Sequence, residues 1–171
     1  MEIKFKELPV YQHKDVILDA IKNNQVIVVQ SPTGSGKTTT LYSMLHHAKT
    51  AINRNIITLE DPIEHQSEDA IQVQINEKAG ISYSIGLKAA LRHDPDIIMR
   101  GEIRDAETAK IAVRAALTGH LILSTMHAKD GIGAVRRLLE FGVDQEEVKQ
   151  TLLAVTTQRL LELDCPYCEG D

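Results

Sequence analysis

The stretch VVQSPTGSGKTTTLY, residues 28–42, constrains this chain more than any other. It closes the apolar run QVIVVQ and places Gly34, Gly36, Lys37 and Thr38 as the pattern G-x-x-x-x-G-K-[ST] requires. A short, continuous apolar run reads as a buried parallel strand. Strand, glycine loop, helix is the context in which this pattern binds phosphate. The glycines let the backbone curl so that its N–H groups point at phosphate oxygens. The helix expected to start near Lys37 adds its positive N-terminal end. Lys37 would reach the β- and γ-phosphates, and the Thr38 hydroxyl would bind Mg²⁺. The candidate nucleotide-binding set is Pro32, Thr33, Gly34, Ser35, Gly36, Lys37, Thr38 and Thr39.

The pattern departs at its first position, where Ser31 replaces glycine. A positive φ there would cost a non-glycine residue about 1 kcal/mol or more. Pro32 pushes Ser31 toward extended geometry, which ends a strand without strain. Nucleotide binding is therefore expected to survive the change.

The rest of the chain alternates strand and helix signals. A helix is expected over about 13–22, where Val16, Ile17, Ala20 and Ile21 share helical spacing. After the loop a helix runs to about Lys49, followed by the strand NIITLE. IQVQI alternates strictly and predicts a half-buried strand with Ile71, Val73 and Ile75 on one face. Ser84 is a candidate cap for a helix to about His93, and DIIM is a strand. Asp105 could cap a helix with the apolar stripe Ala109, Ala112, Val113, Ala116 and Leu117. HLILSTM is another strand, and helices are expected at about 131–141 and 144–162. This order predicts an α/β fold with a mostly parallel sheet.

Ligands collect at the carboxyl ends of strands in such sheets. TLEDPIEH puts Glu60, Asp61 and Glu64 at one such end, although an acidic cluster can equally be a solvated turn. DPDIIMRGEIRD puts Glu102 at another, where a carboxylate can hold a Mg²⁺-bound water or position an attacking one. TGHLILSTMH places His127 at the phosphate end of a strand, where it could sense the γ-phosphate, and His120 at the opposite, structural end. Arg100, just before Gly101 and Glu102, is harder to place, because a buried arginine without a partner is costly.

Composition narrows the function classes. With 171 residues, 43% hydrophobic and 25% charged, the chain is an ordinary globular domain. No apolar run approaches the roughly 20 residues of a membrane span, and the N-terminus lacks a signal-peptide core, so no membrane insertion is expected and the chain reads as cytoplasmic. A formal charge of −5 and no tryptophan argue against a nucleic-acid surface or a base-stacking platform. Cys165 and Cys168 make half of a four-ligand zinc site, but no second pair exists. Zinc is not expected; a redox role or an exposed tail are the other readings.

From about residue 38 to the C-terminus the chain resembles the motor domain of the ATPases of type II secretion and type IV pilus assembly. Four motifs carry the resemblance: SPTGSGKTT, TLEDPIEH, DPDIIMRGEIRDAET and TGHLILSTMH. QVQINEKAGISY, LKAALRHDPD and QRLLELDCPYC are most similar to the competence branch, which builds the DNA-uptake pseudopilus of Gram-positive bacteria. The resemblance implies a P-loop NTPase with a RecA-like three-layer sandwich of the additional-strand type. It implies Mg-ATP hydrolysis that powers pilus or pseudopilus assembly for DNA uptake or secretion. Its residue roles are Lys37 and Thr38 on phosphate and Mg²⁺, Glu64 as a carboxylate near the metal through water, Glu102 as catalytic glutamate, and His127 at the γ-phosphate. It also implies a homohexamer on the cytoplasmic side of the membrane, reached through a membrane platform protein.

Residues 1–40 instead resemble the opening of DEAH-box helicases, where SPTGSGKTT is a common form. The expectation is a helicase-like unit (1–40) joined to a secretion-ATPase core (38–164) and a short tail (165–171), in one structural domain. An engineered chimera and a natural truncated relative both fit. A helicase fragment is disfavoured, because no D-E-A-H follows the loop. With only about thirty residues before the loop, no separate N-terminal domain is expected, and that domain supplies arginines to a neighbour in this family. A monomer that binds nucleotide with little turnover is the alternative, since such arginines are worth about 10³–10⁵ in rate in related chemistry.

Overall fold

The structure, a computed structural model, describes residues 26–30 as backbone and residues 36–158. The helix expected at 13–22, the loop residues Ser31, Pro32, Thr33, Gly34 and Ser35, and Cys165 and Cys168 lie outside the described residues.

Six strands form one sheet: β1 (Val26–Gln30), β2 (Ile56–Glu60), β3 (Ile71–Gln74), β4 (Ile97–Arg100), β5 (Leu121–Met126) and β6 (Leu152–Thr157). Their order is β3-β2-β4-β5-β1-β6, and every pairing is parallel. β5 thus separates β1 from β4. The strands β2, β4 and β5 are buried along their whole length, as central strands of a parallel sheet covered on both faces are. β3 lies at an edge, so its expected alternation is diluted: Ile71 is 58% exposed while Ile75 is buried.

Helices cover both faces. α1 (Lys37–Ile52) packs Leu41, Met44 and Leu45 against Ile56, Ile97, Met99, Leu121 and Leu123. The other face holds α2 (Tyr83–Ala90), α3 (Ala106–Leu117), α4 (Gly131–Glu140) and α5 (Gln145–Thr151) over Leu59, Ile98, Ile122 and Met126. The result is a three-layer α/β sandwich, as expected. None of the described helices is long and apolar enough to cross a membrane.

Three local expectations need correction. The cap of α2 is Ser82, whose side chain accepts from Ile85 N; Ser84 is buried inside the helix, and a 3₁₀ turn (Leu91–His93) completes the span. In α3 the stripe holds through Ala116, but Leu117 at the helix end is exposed. The helix expected over 144–162 stops at Thr151. Asp144 and Glu147 form a reciprocal capping box at its start, and the chain then passes directly into β6. LLAVTT holds β-branched residues suited to a strand, and β1 offers a parallel edge on which they pair.

Candidate active site

The carboxyl ends of β2, β4 and β5 and the start of α1 enclose a cleft of about 370 Å³. Gly36 opens α1 with φ of +77°, in the left-handed region that glycine adopts freely. A Cβ there would stand 3.2 Å from Gln158 Nε2, while Gln158 Oε1 accepts from Thr40 Oγ1 at 2.7 Å. The end of β6 is thereby tied to the first turn of α1. Lys37, Thr38 and Thr39 line the cleft from that turn. Burial holds the Lys37 ammonium below its ordinary value, and the nearby Glu102 carboxylate opposes the shift.

The acidic cluster after β2 separates into two kinds of residue. Glu60 is only 3% exposed. It accepts from Tyr42 Oη at 2.6 Å, Thr58 Oγ1 at 2.6 Å and Gln72 Nε2 at 3.1 Å. Gln72 also donates to the His65 carbonyl at 2.8 Å. Glu60 therefore ties α1, β2 and β3 together at the rim, and burial followed by its hydrogen bond to Glu60 raises the Tyr42 phenol well above its ordinary value. Asp61 and Glu64 are exposed and line the cleft.

The segment after β4 alternates. Gly101 N donates to Leu59 O at 3.2 Å and Ile103 N to Thr125 O at 3.0 Å, and Ile103 is buried. Thr125 Oγ1 donates to the Gly101 carbonyl. With those residues held against the sheet, Glu102 and Arg104 line the cleft. Glu102 Oε2 accepts from Arg104 Nε at 2.6 Å, and Oε1 lies 3.1 Å from His127 Nε2. The hydrogen bond to Glu102 holds the Arg104 guanidinium above its ordinary value. His127 thus joins Glu102 at the carboxyl end of β5. His120, at the other end, has Nδ1 3.0 Å from the Ala115 carbonyl, a local structural contact.

Arg100 is 2% exposed. Its guanidinium lies 4.2 Å from the Tyr83 ring centroid, and Nη2 is 3.6 Å from Asp105 Oδ2. Asp105 caps α3 through Thr108 N, as expected. Nε and Nη1 of Arg100 have no hydrogen-bond partner among the described residues. Burial brings this guanidinium down to about 10, against the pull of Asp105, Tyr83 and Glu102. Burial in turn raises the Tyr83 phenol, which lines the cleft, and Arg100 opposes that rise.

Of the residues expected at the site, the cleft brings together Gly36, Lys37, Thr38, Thr39, Glu64, Glu102 and His127. Sequence reasoning missed Arg104 and Tyr83 as lining residues. Arg104 had one available signal, its place two residues after Glu102 on a segment leaving a strand end.

The type II/IV secretion system protein family matches residues 2–171. The chain belongs to this family. The match begins well ahead of the phosphate-binding loop, so one family accounts for residues 1–40 and for the remainder. The reading of two joined ancestries, with a helicase-like opening, is not borne out. Competence protein ComGA of Bacillus subtilis (strain 168) is 59% identical over 155 residues, covering 90% of this chain and 44% of that protein. Type II secretion system protein E of Klebsiella pneumoniae is 50% identical over 143 residues, covering 84% and 29%. A crystal structure of the pilus retraction motor PilT with bound ADP superposes with a TM-score of 0.78 at 35% identity, covering 94% of this chain and 49% of that one. The chain thus spans less than half the length of these relatives. Its fold is that of the P-loop ATPases, as the sheet order also indicates.

Proposed function

We propose that this chain is the motor core of a traffic ATPase that hydrolyses Mg-ATP to power pilus or pseudopilus assembly, for DNA uptake or protein secretion. The observation that carries the reading is the convergence of Lys37, Thr38, Glu102 and His127 on one cleft at the carboxyl ends of parallel strands. Relatives named as a competence protein, a secretion system protein and a pilus retraction motor with ADP support it.

In this reading Lys37 binds the β- and γ-phosphates at the N-terminus of α1, with the loop residues Pro32 to Ser35 and the turn Gly36–Thr39 around them. Glu102 orients the attacking water, and His127 acts at the terminal phosphate beside it. The donors at the cleft suit Mg²⁺, since Thr38, Asp61, Glu64 and Glu102 all offer hard oxygen atoms. Thr38 would hold the ion directly and Glu64 through water. When bound, Mg²⁺ neutralises charge on the phosphate oxygens. Residues 1–171 act as one domain of a homohexamer, cytoplasmic and docked on a membrane platform protein.

A second reading, nucleotide binding with little turnover, has one observation in its favour: both Glu102 oxygens are engaged by Arg104 and His127. Calorimetry and phosphate release separate the two. Lys37→Ala is expected to lose Mg-ATP binding. Glu102→Gln should keep it while hydrolysis falls about 10²-fold or more. Unchanged ATP affinity in Lys37→Ala would remove the site assignment, and equal turnover in wild type and Glu102→Gln would leave only the binding module.

A further inference from the structure

Each oxygen of the Glu102 carboxylate carries one side-chain contact. Oε2 accepts from Arg104, Oε1 faces His127, and the side chain is only 15% exposed. Each oxygen keeps a lone pair that can accept from water, but a carboxylate bound to a guanidinium is a weaker acceptor for that water's proton. Movement of one of the two neighbours away would therefore strengthen Glu102 for that role. Arg104 is suited to that movement. Its side chain is 71% exposed, and Glu102 is its sole hydrogen-bond partner among the described residues. It engages Glu102 through Nε, so the remaining guanidinium donors are available for the forked contact that arginine makes with phosphate.

The charge balance of the cleft points the same way. Glu60, Asp61, Glu64 and Glu102 line it against the cations Lys37 and Arg104. A triphosphate entering this acidic surface with its Mg²⁺ gains from further positive charge at both ends of its β–γ linkage. Lys37 supplies one at the start of α1. Arg104 stands beside Glu102, where the terminal phosphate and the attacking water would meet.

Resting on the nucleotide site proposed above, we infer that Arg104 is a ligand of the terminal phosphate and determines specificity for nucleoside triphosphate over diphosphate. It passes from Glu102 to the γ-phosphate, and this transfer makes Glu102 the stronger acceptor for the proton of the attacking water. A diphosphate presents no terminal group to Arg104 and leaves the Arg104–Glu102 pair in place.

The test is calorimetric titration of the whole chain with Mg-ATP and Mg-ADP, in wild type, Arg104→Gln, Arg104→Lys and Lys37→Ala, with a thermal melt of each variant. Wild type should prefer ATP. Arg104→Gln should weaken ATP about tenfold, the usual scale of one charge-assisted contact, with ADP affinity within about twofold of wild type. Arg104→Lys should recover part of the preference. An unchanged ATP-to-ADP ratio in Arg104→Gln, or an equal loss of both ligands, overturns the inference. Lys37→Ala separates the two levels: if it still binds both nucleotides, the site assignment fails, whereas loss there with an unchanged ratio in Arg104→Gln removes the role of Arg104 alone.

Discussion

Arg100→Met is expected to stabilise the protein. The guanidinium is 2% exposed and leaves Nε and Nη1 without partners among the described residues. Burial lowers it by more than two units from the ordinary guanidinium value, to about 10. Each tenfold loss of proton affinity corresponds to about 1.4 kcal/mol, so holding this charge in place costs about 3 kcal/mol. The attraction of Asp105 is already part of that value. The stacking over the Tyr83 ring adds about 2 kcal/mol of its own in a desolvated setting. The balance is about 1 kcal/mol in favour of methionine, whose linear side chain fills the same slot. For a domain of this size that raises the unfolding midpoint by about 2–4 °C. The sign with pH follows from a depressed cation. The cost is fully present below pH 10, where folded and unfolded chains are both charged, and it is relieved as pH rises from about 10 toward the ordinary guanidinium value. Circular dichroism melts at pH 7 should show the gain, and it should shrink above pH 10. An unchanged or lower midpoint at pH 7 would refute the reasoning, because the guanidinium would then be no net cost to stability.

Two further substitutions probe the supports of the site. Tyr42→Phe removes a buried 2.6 Å hydrogen bond to Glu60. It should lower stability in urea by about 1–3 kcal/mol, and an unchanged midpoint would show that Thr58 and Gln72 satisfy Glu60 alone. Asp105→Asn keeps the cap on α3 but removes a carboxylate held below 3.8, where burial is outweighed by the Thr108 hydrogen bonds and Arg100. Such a group lends stability above its unfolded value and loses it as pH falls through the folded one. Wild type should therefore lose stability more steeply than the variant below about pH 4, and parallel acid limbs would count against this account.

The difference between reading the chain and seeing it folded is clearest at particular residues. The cluster Glu60, Asp61, Glu64 looks uniform in sequence. Folding buries Glu60 under Tyr42, Thr58 and Gln72 and leaves Asp61 and Glu64 facing the cleft. Tyr42 and Gln72 stand 18 and 12 residues away, so no local pattern announces the sorting. Residues 144–157 make a similar point. The acids at Asp144 and Glu147 correctly mark a helix start, because capping is a local interaction. The switch to β6 at Leu152 depends on the free edge of β1, more than a hundred residues earlier.

What the sequence determined by itself was whatever depends on neighbours along the chain. Strand periodicity, the glycine loop ahead of α1, the Asp105 cap and the strand-end positions of Glu102 and His127 were all legible there. They suffice for a parallel α/β fold and a phosphate site, since a parallel sheet brings its strand ends to one rim. Tertiary structure alone decided which charges meet. It laid Arg100 over Tyr83 and beside Asp105, and it paired Arg104 and His127 with the two oxygens of Glu102. The physical reason is range. Backbone propensities act over a few residues, whereas a buried charge is governed by whatever the fold packs around it.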